Sequence, residues 1–263
     1  MEMRIDSVEI EKLSSGSLDC TDIEGVRHIK SLPFLSVVQA LGGSYGISIG
    51  GGPEYFTGGG GIFVAPANVR QTITHHIDAA TGRMRARWVF LGATVNGRYP
   101  LDLVFSFPTL IPVPLLPGVS AAMDGVCCSE DICDRMSAAY QLIKLLLRTA
   151  QEKPVRRLDE VAAVLSYMEK NYREDITVAQ LAAMSYMSEP GLYSAFRSAT
   201  GKSPIAYLND YRLSQASLLL KTTGLSVKKI AAESGFGDPL YFSRMFKRRY
   251  AMSPREYRNT RAI

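Results

Sequence analysis

Before Pro117 the apolar positions come in short β-rich runs broken by glycine. Ten glycines lie between Gly42 and Gly61. Among and after them sit Gly46-Ile47-Ser48-Ile49, Tyr55-Phe56-Thr57 and Ile62-Phe63-Val64-Ala65-Pro66. That rhythm predicts short strands and tight turns. Longer strands follow near Gln71–Ile77 and Met84–Leu91. In the second, Met84, Ala86, Trp88 and Phe90 share one face while Arg83, Arg85 and Arg87 share the other. Leu101–Phe107 reads as a further strand. The sum is a small antiparallel barrel or sandwich. The glycine run is no phosphate loop, because no Gly-Lys-Ser/Thr follows it and no helix opens after it.

After Pro117 the period lengthens. Ser129 is placed to cap a helix beginning near Glu130-Asp131. Ile132, Met136, Ala139, Ile143 and Leu147 recur at about 3.5-residue spacing, and Leu142, Leu145 and Leu146 widen that face. Two readings stay open: a helix packed wholly on its own barrel, or a dimer seam through Ile132, Met136, Ile143 and Leu147. Gln151-Glu152-Lys153-Pro154 reads as a short linker.

The remainder repeats itself. Phe196-Arg197, Ser203-Pro204 and Tyr207 recur as Phe246-Lys247, Ser253-Pro254 and Tyr257, at an offset of 50 residues. In each copy a short helix, a three- or four-residue turn and a second helix form a helix-turn-helix. Thr177 and Ser188 cap the helices of the first copy, and Gly201 ends it. Ser226 and Asp238 cap those of the second, with Pro239 in the first helical position. A helix from Ser203-Pro204 to about Lys221 joins the copies. Its length of about 26 Å suits two recognition helices in successive major-groove turns, about 34 Å apart.

Composition and charge narrow the function. The 263 residues are 46% hydrophobic and 21% charged, the balance of a globular protein. No run of about 18 apolar residues and no apolar leader is present, so neither a membrane span nor secretion is expected. Cys20, Cys127, Cys128 and Cys133 are too few and too irregular for a disulfide scaffold, which points to a reducing compartment. Residues 1–153 carry 13 Lys/Arg against 15 Asp/Glu, whereas residues 154–263 carry 17 against 10. A near-neutral front half joined to a basic back half fits a nucleic-acid-binding module on a sensor or scaffold.

Ile230-Ala231, Gly235-Phe236, Asp238, Tyr241-Phe242-Ser243-Arg244, Phe246-Lys247 and Ser253-Pro254 with Tyr257-Arg258 together resemble the signature of the AraC/XylS family of bacterial transcription regulators. Leu181-Ala182, Leu192, Phe196-Arg197, Gly201 and Ser203-Pro204 match the family's first helix-turn-helix. Arg212-Leu213 and Ala216 to Leu220 resemble its linker helix. The front half is similar to the cupin-like effector domain of the arabinose-regulator subgroup, through Gly60–Pro66 and Arg87-Trp88-Val89-Phe90. Gly61 stands where an Asp is usual and Arg70-Gln71 where a His is usual, which weakens the inference of a sugar ligand.

The resemblance implies a multi-domain protein. Residues 1–152 form an all-β, cupin-like jelly-roll barrel (about 1–117) with trailing helices (about 118–152), which binds an effector and dimerises. Residues 153–263 form an all-α domain of two helix-turn-helix units. The implied partners are a double-stranded DNA operator, a small-molecule effector such as a sugar or another metabolite, a second copy of the chain, and RNA polymerase. The implied place is the bacterial cytoplasm.

Phe242 and Phe246 are core by spacing, which leaves Pro239, Leu240, Tyr241, Ser243 and Arg244 for the groove. Arg244 is the best base reader, since a guanidinium binds guanine with two hydrogen bonds. Lys247, Arg248 and Arg249 suit phosphate contacts or plain solvation. In the first unit Leu192 and Phe196 are core, and Glu189, Pro190, Tyr193, Ser194 and Arg197 remain. That helix has few strong donors and should read bases more weakly.

For the effector, Trp88 offers a flat face, with Tyr45, Tyr55, Arg70, His75 and Arg87 as candidate polar partners. Trp88 and Arg87 face opposite ways, so which face lines the barrel decides between a sugar or aromatic ligand and an acidic one. The alternatives are a barrel that only dimerises or receives a protein, and a metal enzyme fused to a DNA-binding domain. The three histidines, His28, His75 and His76, supply no His-x-His cage, so no cofactor, metal or catalytic residue is expected.

Overall fold

The computed structural model describes residues 4–153 and 157–260; Pro154 of the expected linker and the extreme ends of both expected domains lie outside the described residues. The front half is built on two large antiparallel sheets, with a small two-stranded one beside them. The first contains β1 (Val8–Cys20), β3 (Leu35–Gly42), β6 (Ile62–Ala65), β8 (Met84–Val95) and β9 (Tyr99–Pro100), in the order β1-β8-β3-β6 with β9 on the end of β8. The second contains β2 (Arg27–Lys30), β4 (Ser44–Ile49), β5 (Glu54–Phe56) and β7 (Gln71–His76), in the order β2-β7-β4-β5. Val38, Ala40, Ile47, Phe63, Ile73, Met84 and Ala86 fill the space between them. Gly16 pairs with Trp88 across β1 and β8, and a Cβ there would run into the indole ring.

The two faces of β8 explain its alternation. Met84, Ala86 and Trp88 pack toward the barrel interior. Val89, Leu91, Ala93 and Val95 face outward yet are buried, because two helices cover them. These are α2 (Leu116–Cys128) and α3 (Ile132–Leu147). Arg87 is caught beneath the same cover. Its guanidinium donates to Gln39 Oε1 at 2.9 and 2.7 Å and to Ser120 Oγ at 2.9 Å, and it pairs with Asp124. A desolvated arginine is tolerable only with such a full set of acceptors.

Four sequence expectations are corrected here. Leu101–Phe107 is not one strand: α1 (Leu101–Val104) is a helical turn, followed by β10 (Phe105–Ser106). The turn is fixed because the Asp102 carboxylate accepts from Ala67 N at 2.7 Å. The helix expected from Ser129 starts later, since Asp131 caps it through the Cys133 and Asp134 amides. The expected linker is partly a strand, β11 (Gln151–Glu152), paired with β10. Ile143, expected on a dimer seam, is buried in its own chain beside Ala139 and Leu142. Of the other seam residues, Ile132 is 62% exposed, whereas Met136 and Leu147 are half-buried.

The back half is helical: α4 (Leu158–Asn171), α5 (Val178–Met184), α6 (Glu189–Thr200), α7 (Pro204–Thr222), α8 (Val227–Glu233), α9 (Pro239–Tyr250) and α10 (Pro254–Asn259). Every cap expected in this half is made: Thr177, Ser188, Ser203, Ser226, Asp238 and Ser253 each accept from a backbone amide of the following helix. Among the described residues no helix is long and apolar enough to cross a membrane.

Candidate nucleic-acid interface and interdomain cleft

The paired units α5–α6 and α8–α9 share one construction. Phe196 and Leu192 anchor α6, and Phe242 and Phe246 anchor α9, all fully buried. Their opposite faces are open. On α9, Leu240 is 74% exposed, Tyr241, Arg244, Lys247 and Arg248 are exposed, and Pro239 and Ser243 are half-buried. On α6, Glu189, Pro190, Tyr193, Ser194 and Arg197 are exposed. The side chains expected to meet a partner thus form one outward strip per unit. They differ in charge: α9 presents Arg244, Lys247 and Arg248, while α6 presents Arg197 beside the acidic Glu189.

The turns differ as well. Gly235 turns the second unit at φ 80°, and a Cβ there would meet the Tyr172 carbonyl and the Arg212 side chain. In the first unit Tyr186 adopts φ 56° and stands 99% exposed. That left-handed conformation costs a non-glycine residue roughly 1 kcal/mol or more.

Arg249 departs from the sequence expectation. It points into the seam with the barrel, where its guanidinium donates to Asp210 Oδ1 at 2.8 Å, Ser31 Oγ at 2.9 Å and the Asn68 carbonyl at 2.5 Å. Its neighbour Tyr250 donates to the Ser31 carbonyl at 3.2 Å, and Ser217 on α7 donates to the same oxygen at 3.1 Å. The loop after β2 therefore holds the C-terminal end of α9. No local pattern pairs residues 218 positions apart, so the sequence carried no signal for it.

The effector candidates separate into two groups. Trp88, Tyr45 and His75 do come together inside the barrel, with His28 and Lys30. The space they enclose is only about 20 Å³, enough for about one water. His75 Nε2 lies 3.2 Å from His28 Nδ1, and burial holds His75 down to about 4 and His28 well below its usual range. Arg70 and Tyr55 are elsewhere: Arg70 faces Asp210 and Arg248 across the seam, and Tyr55 is exposed on the edge strand β5.

The larger space lies outside the barrel interior. Between β1, β8 and the C-terminal half of α7 is a cleft of about 990 Å³. Phe34, Trp88 and Phe90 form its apolar floor, and Lys12, Lys221 and Arg258 stand around it. Lys12 Nζ lies 5.8 Å from the Phe34 ring centre, Lys30 Nζ 5.9 Å from that of Phe90, and Lys221 Nζ 5.1 Å from that of Tyr257. Desolvation pushes Lys30 and Lys221 each down to about 8. Of these lysines, Lys30 lines the barrel interior and not the cleft; Lys12, Lys221 and Arg258, with Glu11 on the same rim, leave the cleft an excess of positive charge suited to an anion, and Lys221 Nζ also donates to Thr260 Oγ1 at 2.6 Å. Among the described residues no group of three or more His, Cys, Asp or Glu is gathered to hold a metal.

Comparison with known proteins agrees with this geometry. A helix-turn-helix domain family matches residues 181–260. The chain is 26% identical over 228 residues to the HTH-type transcriptional activator RhaS of Klebsiella pneumoniae, covering 82% of each protein. It is 32% identical over 134 residues to the RhaS of an Enterobacter species, spanning about half (48%) of that relative. Over 98 residues it is 38% identical to the transcriptional regulator AlkR of Acinetobacter baylyi. Its fold is similar to that of ToxT from Vibrio cholerae, with TM-score 0.65 and 14% identity over 94% of this chain and 98% of that one.

Proposed function

Because the chain belongs to the AraC/XylS family of DNA-binding transcription regulators, we propose that its DNA binding is governed by an anionic, partly apolar small molecule held between barrel and DNA-binding domain. The observation that carries this reading is the 990 Å³ cleft, with aromatic floor and basic rim. The barrel interior, the site expected from sequence, has no comparable room. A carboxylic acid with an apolar body matches the cleft on both counts. The ToxT structures that share this fold are described as bound to a naphthyl-butenoic acid and to an unsaturated fatty acid.

The ligand would touch both domains, with Lys12 and Trp88 on one side and Lys221 and Arg258 on the other. Binding would therefore favour one arrangement of the second unit over others. Arg244 is the proposed base reader, Leu240 and Tyr241 the apolar groove contacts, and Lys247 and Arg248 the phosphate contacts. A homodimer through the open part of α3, around Ile132 and Met136, is the proposed assembly, and RNA polymerase the proposed further partner.

The test is thermal unfolding of the full chain with oleate and with oleyl alcohol. Oleate should raise the unfolding temperature, with about 2.7 kcal/mol of stabilisation at one hundred times its dissociation constant. The alcohol should do much less, and Lys221→Met should remove the difference. Equal shifts from acid and alcohol, or none from either, would sink the proposal.

A further inference from the structure

The seam that Arg249 closes has an open side. A pocket of about 250 Å³ lies there, between the barrel loop that ends at Arg70 and the C-terminal part of α9. Its charged wall is Arg70 from the barrel, Arg248 and Arg249 from α9, and Asp210 from α7. Leu213 and Met245 supply its apolar part.

Three guanidiniums against one carboxylate leave the wall unbalanced, and that carboxylate is already engaged. Asp210 Oδ1 accepts from Arg249 at 2.8 Å and Oδ2 from Lys202 at 2.6 Å. Arg70 and Arg248 are exposed, and neither has an acidic partner among the described residues. Arg248 meets the soft Met245 sulfur, at 3.2 Å. Like charges brought to one pocket from two domains repel unless an anion joins them. The planar fork of an arginine matches the paired oxygens of a phosphate.

Arg70 is held in place by its backbone. Ala67 N donates to Asp102, Asn68 N to the Leu32 carbonyl and Gly50 N to the Arg70 carbonyl, each at 2.7 Å. The Asn68 carbonyl in turn accepts from Arg249 at 2.5 Å, which sets the loop against α9. Arg248 indicates which phosphate the pocket meets. It lies four residues beyond Arg244 and so shares the exposed face of that helix. The pocket continues this face sideways onto the barrel.

We propose that Arg70 and Arg248 together hold one backbone phosphate of a DNA strand, which makes the barrel part of the DNA-binding surface beside the second unit. This rests on the reading of α9 as the helix that enters the groove. The phosphate cancels the repulsion across the seam, so DNA binding and closure of the barrel onto α9 favour each other.

Affinity is measured for the full chain on a duplex recovered from randomised-site selection, over a range of salt concentrations. Arg70 is exposed, so its replacement leaves the core intact. Arg70→Gln should weaken all sequences alike, by roughly eightfold at about 0.1 M salt, with log K falling about 0.9 less steeply against log salt, the share of one phosphate. Arg70→Lys keeps the charge and should keep the slope, while losing affinity with the paired bonds. Ethylation of single phosphates should find one beside the second unit's half-site that blocks the unaltered chain and no longer matters to Arg70→Gln. The proposal is overturned if Arg70→Gln binds with unchanged affinity and slope while Arg244→Ala and Lys247→Ala lose affinity. If none of the three matters, the reading of α9 falls and this proposal with it. It is also overturned if inorganic phosphate at constant ionic strength raises the unfolding temperature of the unaltered chain but not of Arg70→Gln, while the two bind DNA equally. The pocket then takes a free anion.

Discussion

The two helix-turn-helix units are copies in sequence, but they are attached to the barrel by different physics. The first is fused to it. One continuous apolar core runs from Val89 and Leu91 on β8, through Val119 and Leu142 on the covering helices, to Leu165, Phe196 and Leu208. The second keeps a core of its own, with Phe242, Phe246, Tyr250 and Tyr257 at its centre. Its ties to the barrel are mostly polar: the Arg249 bonds to Ser31 and Asn68, and the Ser217 and Tyr250 bonds to the Ser31 carbonyl. Apolar burial is non-directional and hard to release in part, whereas a hydrogen-bonded seam can exchange its partners for water. The first unit is therefore built as an extension of the barrel, and the second is the one expected to separate from it more readily.

Core deletion tests this division with the largest effect. Phe246→Ala should cost about 3–5 kcal/mol, as large-to-small changes at fully buried aromatics do. The loss should fall on the second unit alone, so the fluorescence transition of Trp88, the single tryptophan, should hardly move in urea. Phe196→Ala should cost a similar amount and carry the Trp88 transition with it. If both variants shift Trp88 equally, the two units are not differently attached.

The seam itself comes next. Arg249→Ala removes three charge-assisted bonds and leaves Asp210 with its Lys202 partner at 2.6 Å. A cost of about 1.5–3 kcal/mol is expected. It should appear as faster proteolysis or hydrogen exchange around residues 31 and 68, with the core of the first unit unchanged. Protection lost equally over both seams would contradict a separately held second unit.

What the sequence revealed and what it hid divide along the same line. The double repeat, its caps and its buried phenylalanines were legible because capping and helical periodicity are local rules, and Thr177 to Ser253 obey them. Helix before Ser129 was expected only through the resemblance and not from the residue pattern, because Pro117, Gly118 and Gly125 lower the local propensity of Leu116–Cys128; contact with α3 overrides that, to the point that a Cβ on Gly125 would press on Ala138. With its packing unread, that helix left Ile143 looking like a free face. Leu101–Val104 alternates like a strand, and a distant amide at Ala67 decided otherwise. Trp88, Tyr45 and His75 do line one space, but it is small, because periodicity gives direction and not volume. The cleft that replaces their small cavity exists only once α7 docks. The Arg249 grip was invisible for the same reason.

Protonation should separate the two seams by sign. On the first unit's side, Glu169 is raised to about 7 from an ordinary 4.5, so the folded chain binds the extra proton and stability falls as pH rises across that window. On the second unit's side, Lys30 and Lys221 are lowered to about 8 from 10.5, so the unfolded chain binds more protons and stability rises with pH between those values. Urea midpoints against pH should flatten below pH 7 in Glu169→Gln and above pH 8 in Lys221→Met. A profile that keeps both slopes in both variants would locate the titration elsewhere.

The smallest effects concern DNA itself, where the units differ in what they offer a base. Arg244 on α9 can place two donors on one guanine, and Arg244→Ala should cost about 1–3 kcal/mol of discrimination at one base pair. Lys247→Ala should instead weaken all sequences alike and reduce the salt dependence of binding, with log K falling about 0.9 less steeply per phosphate released. On α6, Ser194 is short, within 3.4 Å of the Arg157 guanidinium, and Glu189 repels phosphate. Replacing both by Ala should leave sequence preference almost unchanged in a randomised-site selection. A large loss there would mean that the first unit reads the operator and the second only follows, which inverts the division of labour argued from their cores.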